Sequence, residues 1–262
     1  MSKKAEKRTN RIKAANQAVK LKAKVGLWAL TLSYTLLSLI ISLTAAWVLL
    51  AKQDFIYGVW HDHGGIGQGI DTYGPQNRYK PGFGDTSRAE RIRIFAEINR
   101  SIHEGGEGLE AIIYQSSSSG GEQALLRTPE VVHLQDVAKL IDFLFVVTFV
   151  STILWLAVSI YLLLVRHRMP SIRQQLSALP ILLIPSILLV LAIGPKSVFN
   201  TLHIWVFPAG HQWFFYYQES LMSTMMLAPN LFGWIALALL ALSIVIFLLI
   251  QYTLFFIGKR TG

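Results

Sequence analysis

The sequence predicts an all-α integral membrane protein with four transmembrane helices and an extracytoplasmic cap between helices one and two. The chain has 262 residues, is 53% hydrophobic by composition and carries a formal charge of +9. Soluble domains rarely combine such a hydrophobic content with so large a charge. In addition, the chain has four apolar windows. Each of them reaches the roughly 20 residues that a helix needs to cross about 30 Å of hydrocarbon.

Most of the basic charge lies in the N-terminal tail, residues 1–24. This tail holds nine Lys or Arg residues and a single acid, Glu6. A basic run directly before an apolar stretch is typical of a cytoplasmic flank that contacts anionic lipid, and nucleic-acid binding is the less favoured interpretation. The stretch that follows, 25–51, is longer than the apolar region of a cleaved signal peptide. We therefore interpret it as a retained first transmembrane helix.

The basic residues of the connections predict the orientation of the helices. The 166–175 turn contains three Arg residues and the C-terminus contains Lys259 and Arg260, whereas 52–138 has eight bases and twelve acids. Because cytoplasmic loops carry the excess of Lys and Arg, we expect both termini inside. The predicted order is: basic cytoplasmic tail 1–24, transmembrane helix 25–51, extracytoplasmic cap 52–138, transmembrane helix 139–165, cytoplasmic turn 166–175, transmembrane helix 176–194, extracytoplasmic aromatic interfacial segment 195–230, transmembrane helix 231–257 and cytoplasmic C-terminus 258–262.

The predicted cap has parts of different composition. Residues 58–87 are rich in Gly, Pro, Asp and Tyr, which predicts a loop or flexible insertion rather than helix or strand. Residues 88–103 have apolar side chains at helical spacing, typical of a helix that lies on an interface or packs within the cap. Residues 116–121 are rich in Ser and Gly and are interpreted as a short linker.

A helix start is recognisable at Thr128, Pro129 and Glu130. A hydroxyl cap, proline at the first helical position and an acid in the first turn form a standard N-terminal pattern. The helix is expected to continue into the second span, with His133 and Asp136 on one face. Glu130 and Asp136 are candidates for orienting an imidazole, and the alternative is that they are favourable partners of the helix dipole.

Eight aromatic residues lie among the twenty residues from Val198 to Tyr217. This density is typical of an aromatic belt at a membrane interface, and its alternative role is the wall of a lipid-binding pocket. The candidate pocket residues are Trp205, Phe207, Trp213 and Phe214.

Histidine is the residue type that the predicted topology concentrates on the outer side. Six of the seven histidines fall there: His61, His63, His103, His133, His203 and His211. Imidazole is suited both to acid/base catalysis near neutral pH and to metal binding. His133 and His203 are expected at a similar depth, where they either meet or are separate interfacial residues. His61 and His63, with His211, are weak candidates for a metal site.

Other kinds of catalytic site find little support in the sequence. The chain contains no cysteine, which excludes disulfides, thiolate nucleophiles and cysteine-ligated metals. The glycines at 64–69 lack the strand and helix of a nucleotide-binding loop, and no serine lies in a Gly-x-Ser-x-Gly elbow.

Two blocks resemble the bacterial lipoprotein intramolecular transacylase family, known as Lit. The first is EVVHLQDVAKLI (130–141), and the second is VFNTLHIWVFPAGHQWFF (198–215), followed by Leu221 and APNLF (228–232). The pattern extends over about 88–257. The chain departs from the family pattern in the Gly-rich 58–87 insertion and in the additional His61, His63 and His211.

The resemblance implies an acyltransferase of the bacterial inner membrane. Its expected substrate is a lipoprotein whose N-terminal Cys carries a diacylglyceryl group and a free amine, and its reaction moves the sn-2 acyl chain to that amine. The product is a lyso-form N-acyl lipoprotein. His133 and His203 are the implied catalytic pair, and no cofactor or nucleic-acid partner is expected. The alternatives are a metal-binding membrane enzyme or sensor and a non-catalytic membrane assembly protein.

Overall fold

The computed structural model describes residues 3–116, 121–167 and 169–261. The helices and strands follow in this order: α1 (Lys3–Ala51), α2 (Tyr57–His63), α3 (Ile66–Tyr73), α4 (Arg88–His103), β1 (Ile113–Ser116), β2 (Gly121–Ala124), α5 (Thr128–Leu164), α6 (Ile172–Ile193), α7 (Pro195–Val206), α8 (Leu221–Met226) and α9 (Asn230–Thr261). Single turns of 3-10 helix lie at Asp54–Ile56, Gly74–Gln76, Phe83–Asp85 and Leu109–Ala111.

Four helices of the described part of the chain are long and apolar enough to cross a membrane, which confirms the predicted four-span fold. The candidate spans are Asn10–Ala51, Thr128–Leu164, Ile172–Ile193 and Asn230–Ile257. The third span contains Pro180 and Pro185 and remains one continuous helix. It ends at Gly194, whose φ of +90° is a conformation that glycine adopts without steric cost. α7 then begins at the next residue.

The Gly-rich region 58–87 is helical, so the expectation of a loop was wrong. Its residues form most of α2, all of α3 and two turns of 3-10 helix. The glycines allow close packing here. A Cβ on Gly67 would lie 2.9 Å from Cε1 of His61, and one on Gly69 would lie 2.5 Å from the side chain of Leu227. Glycine is therefore used where helices and side chains approach closely, although composition alone favoured a flexible segment.

The predicted helix over 88–103 is confirmed as α4. Ser87 caps it by accepting a hydrogen bond of 3.1 Å from the backbone N–H of Glu90. Its apolar stripe packs into a hydrophobic core, since Phe95 and Ile98 are buried. The ring of Phe95 stacks on that of Tyr57 with a centroid distance of 4.0 Å.

The 116–121 region, expected to be a linker, borders a small antiparallel hairpin. β1 and β2 pair in a register that places Ile113 opposite Ala124 and Ser116 opposite Gly121. Residues 117–120 lie outside the described residues, so the linker prediction is tested only at its two ends. The hairpin is the one element of sheet in the described residues of this otherwise helical fold.

The chain forms two compact units. The first comprises Met1–Ile40, Ser151–Leu189 and Phe247–Gly262, and the second comprises Ile41–Val150 and Val190–Ile246. In the first unit, Gln251 accepts hydrogen bonds from Tyr34 and Gln175, at 3.0 and 2.9 Å. The second unit holds the hydrophobic core beneath α2, α3 and α4 and all the candidate site residues.

Candidate active site

His133 is held near the start of α5. The helix begins at Thr128, as the capping pattern predicted. One and a half turns later, the half-buried imidazole of His133 lies between two aromatic rings. Its centroid is 5.0 Å from that of Phe207 and 5.8 Å from that of Phe215. Burial beside apolar rings favours the uncharged form of an imidazole, which is the form that accepts a proton.

His203 lies in the last turn of α7. Its Nδ1–H donates a hydrogen bond of 2.8 Å to the backbone carbonyl of Phe199, four residues earlier. Because a carbonyl oxygen only accepts, this contact assigns a proton to Nδ1 and leaves Nε2 as the atom that exchanges protons. The rings of Phe199 and Trp213 also lie against the imidazole, with centroid distances of 3.9 and 4.9 Å.

The structure brings His133 and His203 together around one aromatic side chain. The ring of Phe207 lies 5.0 Å from the imidazole of His133 and 5.3 Å from that of His203. Two groups that can exchange protons therefore lie against the same apolar ring.

Asp136 lies one turn beyond His133 and contacts a different imidazole. Its carboxylate, 4% exposed, accepts hydrogen bonds from Nδ1 of His211 at 2.5 Å and from Nζ of Lys139 at 3.2 Å. It interacts with His133 electrostatically. The sequence suggested Asp136 as an orienting group for an imidazole, and the imidazole that it binds directly is that of His211.

Glu130, the second supporting candidate, is almost fully buried and joins α5 to α8. Its Oε1 accepts from the hydroxyl of Ser220 at 2.6 Å and from the backbone N–H of Met222 at 3.2 Å. Its Oε2 accepts from the backbone N–H and Nε of Arg127, at 2.9 and 3.2 Å. Four donors saturate this carboxylate, so its contacts serve to position the two helices.

The four predicted pocket residues differ in their surroundings. Phe207 contacts both imidazoles and Trp213 contacts that of His203. Phe214 contacts the rings of Trp213 and Tyr216 and is 56% exposed. Trp205 is 78% exposed. Sequence reasoning missed Phe199 and Phe215 as neighbours of the imidazoles. The position of Phe199 four residues before His203, on the same face of a helix, was the available signal.

The three histidines that were weak candidates for a metal site do not share one environment. Nδ1 of His61 donates to Asp62 at 2.9 Å, His63 is exposed, and His211 binds Asp136. Within residues 3–116, 121–167 and 169–261, no group of three or more His, Asp or Glu side chains has the arrangement of a metal site.

Comparisons with known proteins give one family match and one structural match. The family model described as lipoprotein intramolecular transacylase Lit matches residues 121–226, which include both histidines. No curated protein sequence matches the chain. The fold is similar to that of a single-substitution variant of the membrane-integral lipoprotein intramolecular transacylase Lit from Bacillus cereus, determined in meso. The TM-score is 0.60 at 16% identity, over 95% of this chain and 100% of that chain. The match to the family model confirms, over residues 121–226, the resemblance to the lipoprotein intramolecular transacylase family that the sequence motifs predicted, and the structural likeness shows the shared fold.

Proposed function

We propose that the chain is an acyltransferase that moves an acyl chain within a diacylglyceryl lipoprotein, from the sn-2 glyceryl oxygen to the amine of the N-terminal Cys. The observation that carries this proposal is the meeting of His133 and His203 around Phe207. These three residues lie within the part of the chain that matches the family model. Membrane spans on the same chain suit a lipid-anchored substrate.

The reaction has requirements that the residues of this site meet. Attack of the Cys amine on the sn-2 ester passes through a ring of about eight atoms, which closes efficiently only where a pocket holds both ends. The nitrogen loses a proton as the new amide forms, and the glyceryl oxygen gains one as the ester C–O bond breaks. The site therefore needs one group that accepts a proton and one that donates a proton.

We assign the accepting role to His133 and the donating role to His203. His133, between Phe207 and Phe215, lies in surroundings that favour a neutral ring ready to take the amine proton. Nδ1 of His203 donates to the carbonyl of Phe199, so Nε2 is the nitrogen from which His203 would protonate the departing oxygen. After the transfer His133 carries the extra proton, and its return to His203 restores both residues without net proton uptake.

Exposed aromatic and aliphatic side chains of α7 and of the residues that follow it suit the acyl chains of the substrate. Trp205, Ile204 and Phe214 are exposed by 78%, 67% and 56%. In a membrane, such side chains are favourable neighbours of lipid. We propose that they guide the diacylglyceryl group toward Phe207 and Trp213.

The orientation and membrane belong to the same proposal. The basic residues at 1–24, 166–175 and the C-terminus favour a cytoplasmic location for these parts. The site would then lie on the extracytoplasmic side of the bacterial inner membrane, where the N-termini of mature lipoproteins are present.

Mass spectrometry of a lipoprotein N-terminus tests substrate and reaction together. Lipoproteins from cells with the gene should carry an N-acyl Cys and a lyso-glyceryl group, and cells without the gene should retain the diacylglyceryl form with a free amine. Complementation with a His133→Ala variant should leave the second pattern. An unchanged acyl position in cells with the gene, with the protein present in the membrane, would refute the proposal and favour an assembly role. Activity that depends on an added divalent metal would favour the metal-enzyme alternative.

A further inference from the structure

The segment from Phe207 to Tyr216 has no regular secondary structure, yet it supplies two of the rings around the proposed catalytic pair. Phe207 near its beginning and Phe215 near its end both contact the imidazole of His133. We call residues 207–216 the aromatic segment. A segment without helix or strand hydrogen bonds needs other contacts to hold its rings at fixed positions.

His211 lies halfway along the aromatic segment, four residues from each of these rings, and it is bound to α5. Its Nδ1–H donates to Asp136 at 2.5 Å, and Asp136 lies one helical turn from His133. A turn leads into this residue, since the backbone N–H of His211 donates to the carbonyl of Pro208 at 3.1 Å and Gly210 has a φ of +89°. The middle of the segment is thus tied to the helix that carries His133.

The carboxylate of Asp136 makes this tie strong. It is 4% exposed, and the groups that face it are His211, the Nζ of Lys139 and the ring of His133. A buried carboxylate that loses a hydrogen-bond donor is strongly destabilised. Lys139 is 73% exposed and lies on α5 itself. His211 is therefore the partner that connects Asp136 to the aromatic segment.

We infer that the Asp136–His211 hydrogen bond is a clasp that holds the aromatic segment against His133, and that His211 is a positioning residue for the proposed acyl transfer. The inference rests on the proposed function for its effect on the reaction. The clasp itself is a property of the fold. Its effect should appear mainly in kcat, because displacement of the rings by about 1 Å costs up to about a hundredfold in rate.

Asparagine is the informative replacement for His211. The side-chain amide nitrogen of Asn occupies nearly the position of Nδ1 in histidine and donates in the same direction, but it cannot exchange a proton. A positioning role therefore predicts that His211→Asn retains most of the activity that His211→Ala loses. A proton-transfer role predicts that both variants are equally impaired.

The experiment uses the full chain reconstituted in lipid vesicles with a diacylglyceryl lipopeptide that carries a free N-terminal amine. We expect kcat to fall about tenfold in His211→Ala and in Asp136→Ala, to fall no further in the double variant, and to stay within about threefold of wild type in His211→Asn. The matched control is His63→Ala, which removes an exposed imidazole of α2. Normal activity of His211→Ala, or equal loss in the Asn variant, would overturn the inference.

Hydrogen exchange of peptides that cover 207–216 gives a second readout without substrate. The clasp predicts faster exchange of this segment in His211→Ala, wild-type exchange in His211→Asn, and no change in His63→Ala. If wild-type protein forms no product, the proposed function fails and this exchange experiment still decides on the clasp. Unchanged exchange in His211→Ala would refute the clasp even in an active enzyme.

Discussion

His133 and His203 come from different helices and contact the same ring, that of Phe207, at centroid distances of 5.0 and 5.3 Å. Both imidazoles lie among aromatic rings, and that of His203 also has its Nδ1 committed to the carbonyl of Phe199. This difference is the basis of the separate proton-accepting and proton-donating roles that we propose for the two residues.

Removal of either imidazole should abolish most of the acyl transfer. We expect His133→Ala and His203→Ala each to lower the rate by about 10² to 10⁴, the usual contribution of a positioned acid or base. Because the two residues act as a unit, the double variant should be about as slow as the worse single variant. Rates of lyso-product formation, measured on reconstituted protein, give the comparison. Multiplicative losses in the double variant would show that the histidines act independently.

Phe207 should matter to the reaction although it has no group that transfers protons. Phe207→Ala removes the wall that both imidazoles share, and we expect the rate to fall by about ten- to a hundredfold through loss of orientation. The control is Phe149→Ala, which removes a 67% exposed ring from the same helix as His133. Equal rates for the two variants would argue against a positioning role for Phe207.

Sequence reasoning recovered the parts of the fold that depend on local patterns. The apolar windows predicted the four spans, and Thr128, Pro129 and Glu130 predicted the start of α5 because caps act within one turn. His133 and His203 were singled out by the two motif blocks. Their contact with Phe207 required the tertiary structure.

The parts that the sequence did not predict depend on residues that are distant in the chain. Asp136 and His211 are 75 positions apart, and Glu130 and Ser220 are 90 apart. No local pattern indicates either hydrogen bond. The Gly-rich helix α3 was missed because Gly67 is a glycine that permits close packing, here against His61. Composition alone cannot distinguish such a glycine from one in a flexible segment.

The buried carboxylate of Glu130 should be important for stability. Glu130→Ala leaves the donors of Arg127, Ser220 and Met222 without their partner, and we expect a loss of about 3 to 5 kcal/mol in the free energy of unfolding. Thermal unfolding in detergent measures this change. Glu107→Ala, which removes an exposed carboxylate, is the control and should unfold near the wild-type temperature. Similar unfolding temperatures for both variants would contradict the proposed joining role of Glu130.

Gly67 should not tolerate a side chain. In Gly67→Ala the new Cβ would lie 2.9 Å from Cε1 and 3.0 Å from the carbonyl oxygen of His61. We expect this overpacking to cost about 1 to 3 kcal/mol of stability. The matched variant is Gly233→Ala in α9, where the added Cβ has no other atom within 4 Å. It should be neutral or slightly stabilising, because Ala has the higher helix propensity. A Gly67→Ala protein as stable as Gly233→Ala would contradict the close packing of α2 and α3.

Acidification should remove the stabilising effect of the ion pair between Asp62 and Arg88. Arg88 donates from Nε and a terminal nitrogen to the two carboxylate oxygens, at 2.7 and 2.6 Å, and His61 donates at 2.9 Å. The Arg88 hydrogen bonds foremost, and then that of His61, hold the pKa of Asp62 well below its usual range. The contribution of the pair to stability is thus fully present above the unfolded-state pKa of about 4, and it decreases as the pH falls from there toward the lower folded-state pKa.

The variant Arg88→Met tests this sign, since it keeps the aliphatic stem and removes the charge. At pH 7 its unfolding temperature should lie below that of the wild type, and the difference should shrink steadily as the pH falls below about 4. Arg100→Met is the control, because Arg100 and Glu104 are exposed and 4.0 Å apart. That variant should have the unfolding temperature of the wild type at every pH. If the difference in unfolding temperature between Arg88→Met and wild type stays constant from pH 7 to pH 3, Arg88 stabilises the fold by packing and not through the charge of Asp62.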